Sequence, residues 1–461
     1  MRDDPETLEL GRQGARAVVP RWMTLSTLCF AVLIAQLDTS VVNLGTKPIG
    51  AYFQASVPAL QWVVDAYNLV YAVLLLTGGL LADLRGRRLV FMAGVGVFTG
   101  ASVLSAAAPS VAVLIAGRAV AGLGAALMLP ASLAIIRVVW TDPAERGHAL
   151  GIWAGCNGVS LAIGPTLGGL LIEWLGWRSI FAVVVPVGIA ALTLAVPAVP
   201  ESADPNGRHF DPQGQALGAF ALGSLAYAAI AEHDAPFVAA GAFAASMVAL
   251  AEFILTERRL GNSALVPLGL FRVRAFRAAV VATTGMTFGM YGVIFLTPLS
   301  WQSTGMLSPV QAGLALLPMA LVFVFVSPLS GRVQKIVGAR VITCGGVAVI
   351  ASGMFVLAAA ARLHALWPAE CGLALTGLGM GLATGPLMGE AVGAVSPNRS
   401  GTASALINAA RMAGATIGVA VLGAIYAGAQ HSQGGLRWAM LAGGAFQAAC
   451  VVVSWIDGGR R

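Results

Sequence analysis

Apolar residues run through this chain in long uninterrupted blocks, separated by short breaks rich in Arg, Asp, Gly and Pro, and they do not alternate with polar ones. A helix needs about 20 apolar residues to cross a bilayer, so each block predicts one spanning helix. Fourteen are found, at roughly 22–45, 59–82, 89–107, 111–137, 147–172, 179–198, 213–232, 236–256, 277–300, 309–330, 339–361, 366–392, 400–428 and 436–456. Strands of a membrane barrel would alternate over segments of about ten residues, and none of the blocks does. The first block is full length and lacks a small-residue cleavage site, so it is expected to remain as the first helix instead of acting as a cleaved leader.

The breaks repeat. Gly79 to Arg88 reads Gly-Leu-Leu-Ala-Asp-Leu-Arg-Gly-Arg-Arg, and its glycine frame and terminal arginine return 252 residues later between Gly331 and Arg340. Gly164 and Gly169 fall 254 residues before Gly418 and Gly423. The longest internal polar break, Pro200 to Asp211, cannot bury apolar surface, and the next, Glu257 to Arg274, is basic and holds Pro267. These two breaks set the seventh and eighth spans apart. The expected fold class is an all-α polytopic membrane protein of two six-helix bundles plus two extra helices, 14 transmembrane helices in all. Its expected domains are residues 1–200, a first bundle; 201–262, two inserted helices with polar linkers; and 263–461, a second bundle. Repeated bundles around a midplane cavity are the architecture of secondary transporters, in which one half rocks against the other.

Composition agrees with this class. Hydrophobic residues make up 58% of the 461 and charged residues 10%, too few to cover a water-facing surface. The net charge of +7 does not mark a nucleic-acid binder, because the arginines sit in short loops beside apolar blocks. Of the 27 basic residues, twenty-one fall in termini and loops on one side of the fourteen spans and four (Lys47, Arg178, Arg362, Arg437) on the other, with Arg118 and Arg411 inside spans. The positive-inside rule then places both termini in the cytoplasm. The five cysteines are scattered through spans without CxxC spacing and are expected to pack as small apolar side chains. No nucleophile and base constellation, phosphate-binding glycine loop or metal-ligand spacing is present, so no enzyme, metal site or cofactor is expected.

Charges within the spans carry the sharpest signal, since a charged side chain at the bilayer centre costs at least about 2.5–3.5 kcal/mol and is usually functional. At about 1.5 Å per residue, Asp38 lies roughly 25 Å into the first span, Asp65 roughly 10 Å into the second and Arg118 about 13 Å into the fourth, all in the same half of the membrane. An arginine beside two carboxylates can hold one ionised and leave the other to carry a proton. Thr39 and Asn43 share a face of the first span; Tyr67, Asn68 and Tyr71 give the second a polar aromatic face. Asn157 in the fifth span and Arg411, about 16 Å into the thirteenth, are further cavity candidates. In the ninth span Met290, Tyr291 and Gln302 lie among Met286, Phe288, Phe295 and Trp301, an adaptable wall suited to large apolar ligands. Glu390, near the end of the twelfth, is expected to be interfacial.

Two backbone motifs complete the set. Gly79 and Gly86 would permit a tight helix-loop-helix turn in which Asp83, Arg87 and Arg88 set opposite charges at a junction, able to latch the bundles in one state. Lys335 replaces the aspartate in the second copy, so a latch is expected on the first half. Gly164-Pro165, followed by Gly168 and Gly169, predicts a kinked fifth helix against which another helix can press.

Together these strings resemble the fourteen-spanner drug:proton antiporter branch of the major facilitator superfamily. The resemblance rests on Leu37-Asp38-Thr39 with Val42-Asn43, Gln61 to Tyr67, the Gly79 to Arg88 loop, Arg118 with Gly122 and Gly124, and Gly164-Pro165 with Gly168-Gly169. Trp177-Arg178 with Phe181 and Pro186, and Leu296-Thr297-Pro298 through Leu317-Pro318, extend it over nearly the whole chain. Val184 and Ser160 depart from it, standing where the family often has asparagine and glycine. The resemblance implies proton-coupled efflux of amphipathic small molecules such as drugs or antibiotics, powered by the proton gradient with no cofactor. It links Arg118 to proton transfer and Asp38 and Asp65 to coupling or cation recognition. The implied partners are a small-molecule substrate, protons and the lipid bilayer of the cell membrane, with no nucleic acid, and a monomer is expected. A metabolite importer or uniporter of the same fold, or a non-transporting membrane sensor or scaffold, are the alternative readings.

Overall fold

A computed structural model of the chain describes residues 20–203, 211–231, 235–261, 264, 266–363, 365–395, 400–429 and 434–458. Every predicted span is a helix: α1 (Arg21–Phe53), α2 (Val57–Arg85), α3 (Arg87–Ala106), α4 (Val111–Val139), α5 (Pro143–Leu175), α6 (Ser179–Ala198, interrupted at Val183) and α7 (Pro212–Ala231). They continue with α8 (Pro236–Leu260), α9 (Arg274–Ser303), α10 (Pro309–Val337, interrupted at Leu316), α11 (Ala339–Leu363), α12 (Leu366–Gly393), α13 (Ser400–Gly428) and α14 (Gly435–Asp457). Among the described residues thirteen of these are long and apolar enough to cross a membrane; the other, α5, has 33 residues and shows a shorter apolar run at Ile163–Leu175. The largest disagreement with the spans read from the sequence is α1, which continues past Thr46 to Phe53 through Pro48, as membrane helices tolerate proline when neighbours surround the freed carbonyl.

Two bundles, α1–α6 and α9–α14, use the same pairings. In the first, α1 packs on α5 and α6, α2 on α4, and α3 on α4 and α6; in the second, α9 packs on α13 and α14, α10 on α12, and α11 on α12 and α14. The crossings match in chemistry as well. A Cβ on Gly94 of α3 would stand 2.9 Å from the carbonyl oxygen of Gly124 in α4, and one on Gly353 of α11 would stand 2.6 Å from that of Gly372 in α12. Small residues let the backbones touch where lipid supplies no hydrophobic drive.

The extra pair stands outside this symmetry. α8 packs on α7, and α7 lies across α2 of one bundle and α13 of the other. Gln215 of α7 ties it down: its amide accepts from the Thr77 hydroxyl and donates to the carbonyl of Val73 at 2.6 Å, both in α2. Most of α8 faces outward, with Phe237 92% exposed, as expected of a helix bathed in lipid. Much of the polar break from Pro200 to Asp211 lies outside the described residues.

The repeated loop is a real structural repeat. Gly86 (φ 111°) links α2 to α3 and Gly338 (φ 87°) links α10 to α11, each in a backbone region that side-chain-bearing residues rarely adopt. A glutamate that follows α6 completes the turn: Glu201 accepts the N–H groups of Arg88 and Leu89 at 3.1 and 3.2 Å, capping α3 from the end of the first bundle. Gly79 was expected to share in the turn, but it lies inside α2, seven residues earlier. This end of the molecule, here called the loop end, carries Trp22 and Trp455 on its surface, and the far end carries Tyr52, Trp174, Trp367 and Trp438, the two aromatic belts of a spanning protein.

The two glycines of the loop are therefore expected to differ. Gly86→Ala forces a positive φ on a residue with a Cβ that would lie 2.8 Å from Oε1 of Glu201, and should cost about 1–2 kcal/mol. Gly79→Ala meets only Pro130 at an ordinary 3.5 Å and should be neutral or stabilising by up to about 1 kcal/mol. Thermal unfolding of the purified variants in detergent compares them; equal losses would refute the difference.

Candidate functional site

The two bundles meet along two seams that repeat each other. In the first, α5 is pressed between bundles: a Cβ on Gly164 would lie 2.6 Å from Cβ of Ser40, one on Gly168 2.7 Å from Cγ1 of Val41, and one on Gly169 2.7 Å from Cα of Val310 in α10. In the second, Gly418 of α13 packs on the carbonyl of Phe288 in α9, and Gly423 packs on the Gln61 side chain of α2. Thus the fifth helix of each bundle lies on the first helix of its own and the second of the other. Ser160 directs its hydroxyl at the Leu33 carbonyl of α1, 3.4 Å away, where a glycine would leave a gap.

Polar contacts across the seams cluster at the far end. Gln61, fully buried, donates to the carbonyls of Ala420 and Val419 at 2.9 and 3.2 Å; Gln302 donates to the carbonyl of Leu44 at 3.2 Å; the Ser308 hydroxyl lies 3.4 Å from Glu173. At the loop end Arg21 pairs with Glu145, Arg277 with Asp457, and Thr343 lies near Glu390, each within one bundle. The hydrogen bonds that join the bundles thus close the molecule at the far end.

In this conformation the loop charges are satisfied within the first bundle. Arg87 bonds Asp83 at 2.8 Å, and its backbone N–H donates to the Ser202 carbonyl at 2.8 Å, so the loop holds α2, α3 and the chain after α6 together. The hydrogen bonds and ion pairs of Asp83, Arg87 and Arg88 go to residues of the first bundle and the chain that follows α6.

Within the first bundle one ion pair dominates. Nη1 of Arg118 lies 2.6 Å from Oδ2 of Asp38, both residues almost fully buried, and Nε donates to the Val63 carbonyl at 3.1 Å. The guanidinium also lies 4.7 Å from the Tyr67 ring centre and 5.8 Å from that of Phe181. α4 can bring Arg118 this close because Gly122, one turn on, has no side chain: a Cβ there would stand 2.5 Å from the Tyr67 carbonyl oxygen. Asp65 is not part of this pair. It is fully buried in α2, and both of its carboxylate oxygens lack a hydrogen-bond partner, as do both polar atoms of Asn68 one turn along. Asn43 donates back to the Thr39 carbonyl of its own helix at 2.7 Å.

A cavity lies between the bundles beside this pair. Met286, Met290, Met319, Met380 and Phe323 form its apolar walls, and Gln36, Thr39, Ser40, Tyr291, Thr384 and Arg411 its polar ones. Pro165 of the kink also lines it. Met290, Tyr291 and Arg411 were expected there; Met319, Phe323, Met380, Thr384 and Gln36 were not singled out by the sequence. Gln302 is spent on the far-end seam, Asn43 lies outside the walls, and Phe288 stacks instead on Phe446 at 4.2 Å. Tyr67 and Tyr71 are not walls but a bridge: Tyr67 covers Arg118, Tyr71 lies 6.0 Å from Tyr67, and Tyr71 is within electrostatic reach of Arg411 and Tyr291. The Asn157 side chain lies outside those the structure describes.

Two pseudo-equivalent bundles, closed at one end around a midplane cavity and holding a buried ion pair in one of them, define a secondary transporter. Residues 28–419 match the Major Facilitator Superfamily, and the chain belongs to that family. Over 409 residues it is 36% identical to "Multidrug resistance protein Stp" of Mycobacterium tuberculosis, covering 88% of this chain and 76% of that protein. It is 32% identical over 407 residues to "Multidrug efflux pump LfrA" of Mycolicibacterium smegmatis, covering 88% and 81%, and 33% identical over 442 residues to a methylenomycin A resistance protein of Bacillus subtilis, covering 94% and 93%. Among solved structures the fold resembles the POT family transporter PepTSo (TM-score 0.70, 12% identity, 94% and 97% of the chains) and a D-xylose-proton symporter (TM-score 0.69, 16% identity, 94% and 97%).

The ion pair predicts an asymmetric double-mutant cycle. Arg118→Ala leaves Asp38 buried without a cation and should cost about 3–5 kcal/mol, whereas Arg118→Met combined with Asp38→Asn should cost less than either charge-stranding change alone. Unfolding in mixed micelles measures the cycle; additive losses would mean that the two groups are not energetically linked.

Proposed function

We propose that this protein exports amphipathic small molecules, such as drugs or antibiotics, across the cell membrane in exchange for protons, by alternating access. The observation that carries the reading is the buried Asp38–Arg118 pair, joined to the central cavity through Tyr67 and Tyr71. A carboxylate that can be neutralised by a proton from one side, and that then releases its arginine, converts a proton gradient into a change in the packing around α1, α2 and α4. The names of the relatives, which describe multidrug efflux and antibiotic resistance, support the direction of transport.

The excess of basic residues at the loop end supports a cytoplasmic loop end and cytoplasmic termini, so the conformation described is open toward the cytoplasm. In that state the Gly79 to Arg88 loop is free of the second bundle, and Asp83, Arg87 and Arg88 would engage it when the far end opens. The glycines of α5 allow the seam with α10 to close tightly and to part. The proton gradient supplies the energy without a cofactor, the working unit is a monomer, and the chain is a transporter and not an enzyme. Asp38 and Arg118 carry the coupling; Asp65, unpaired in α2, is the second carboxylate available for a proton.

Asp38→Asn preserves size and polarity and removes the titrating group. Reconstituted in liposomes, it should lose substrate-induced proton movement and gradient-driven transport, while exchange of substrate without a gradient persists; undiminished gradient-driven transport would remove Asp38 from the mechanism. Asp83→Asn should slow turnover several-fold while leaving substrate affinity within about twofold, and a loss of affinity at unchanged turnover would contradict the latch.

A further inference from the structure

The central cavity combines a methionine-rich apolar wall with uncharged polar groups and one charged residue. Methionine side chains adapt to irregular apolar shapes, so the wall of Met286, Met290, Met319 and Met380 with Phe323 suits a flat aromatic or polycyclic body. Set into this wall is Arg411 of α13, the one charged residue that lines the cavity among the described residues. It makes no ion pair among them: its Nη1 reaches Oδ1 of Asn408 on its own helix at a long 3.4 Å, and its Nε is buried without an acceptor. Among the described residues the carboxylates within the bundles do not pair with it. Asp38 is held by Arg118, Glu390 lies 3.4 Å from the Thr343 hydroxyl, and Asp65 is not a wall of the cavity. Tyr291 lines the same cavity and adds a phenol group to it.

A guanidinium with free N–H donors, in an apolar cavity and without a carboxylate, is a receptor for an oxyanion. Charge-assisted hydrogen bonds from arginine are strong and directional, and a low dielectric strengthens them while it also raises the repulsion felt by a cation. We propose that the cavity selects organic anions: aromatic or polycyclic molecules bearing a carboxylate, sulfonate or phenolate, with the charged group on Arg411 and the ring system on the methionine wall. The assignment rests on the transport reading above and narrows its substrate to one charge class.

Fluorescein and rhodamine 123 share a xanthene ring system and carry opposite net charge at neutral pH, so they separate charge from shape. Equilibrium binding of each to the full-length protein in phosphatidylcholine nanodiscs, followed by anisotropy, is expected to favour fluorescein by at least about tenfold. Arg411→Lys should keep the preference in weakened form, Arg411→Gln should abolish it, and Arg411→Glu should invert it. Glycerol 3-phosphate, a soluble anionic headgroup, should not compete with fluorescein. A preference for rhodamine 123, a fluorescein preference that survives Arg411→Gln, or binding of neither dye would overturn the proposal. Competition by glycerol phosphate would overturn it in favour of a phospholipid headgroup. No gradient is present in this measurement, so its outcome is independent of whether transport is driven by protons, which Asp38→Asn tests.

Discussion

An arginine buried in the middle of a helical bundle is the constraint around which the first half of this protein is arranged. Arg118 cannot be left uncompensated in an apolar interior, and breaking such a pair costs several kcal/mol. Its charge is met by Asp38 from α1, its Nε by the Val63 carbonyl of α2, and its faces by Tyr67 and Phe181. Three helices and the first part of α6 therefore converge on one guanidinium. The glycine at 122 follows from the same demand, since only a bare backbone lets α4 come near enough to α2 for the side chain to reach across. Neutralising Asp38 would remove the principal reason for this convergence.

The bundles themselves are joined by a different chemistry. Lipid gives no hydrophobic advantage to helix association, so close backbone contact and side-chain hydrogen bonds must supply it. Glycines furnish the contact at both seams, and glutamines furnish the bonds: Gln61 and Gln302 between bundles, Gln215 from the inserted pair to α2, and Gln447 from α14 to the carbonyls of Gly285 and Met286. Interhelical bonds of this kind average only about 0.6 kcal/mol in membranes. A joint made of a few such bonds and small residues is firm enough to define a state and weak enough to be exchanged for its counterpart at the other end.

Much of this was legible in the sequence because hydrophobic block length and glycine spacing are one-dimensional signals. The fourteen spans, the repeated Gly86 and Gly338 turns and the equivalence of Gly164 with Gly418 all survive into three dimensions with their register intact. Charges within spans were equally visible, and Asp38 and Arg118 do meet. What could not be read was pairing. Asp65 and Asp38 look alike in the sequence, yet one faces the arginine and the other has no hydrogen-bond partner, a difference set by which way each helix is turned. The glutamine clasps were opaque for the same reason, since a lone Gln in an apolar span does not reveal which carbonyl it will find. Likewise Met319 and Met380 carried no sign that they would join Met290 on one wall.

The repeat also explains why coupling and binding can coexist without interference. Duplicated backbone gives both halves the same pairings, but their chemistry has diverged: 252 residues after Asp38 the chain has Met290, a wall of the cavity, where the first half has the carboxylate of the ion pair. Titrating groups are thus concentrated in α1, α2 and α4, and the adaptable apolar wall in α9, α10 and α12. α1 carries both Asp38 of the ion pair and Gln36, Thr39 and Ser40 of the cavity wall, so a shift of α1 on loss of the Asp38–Arg118 pair would also move the cavity, with no longer path needed between the two.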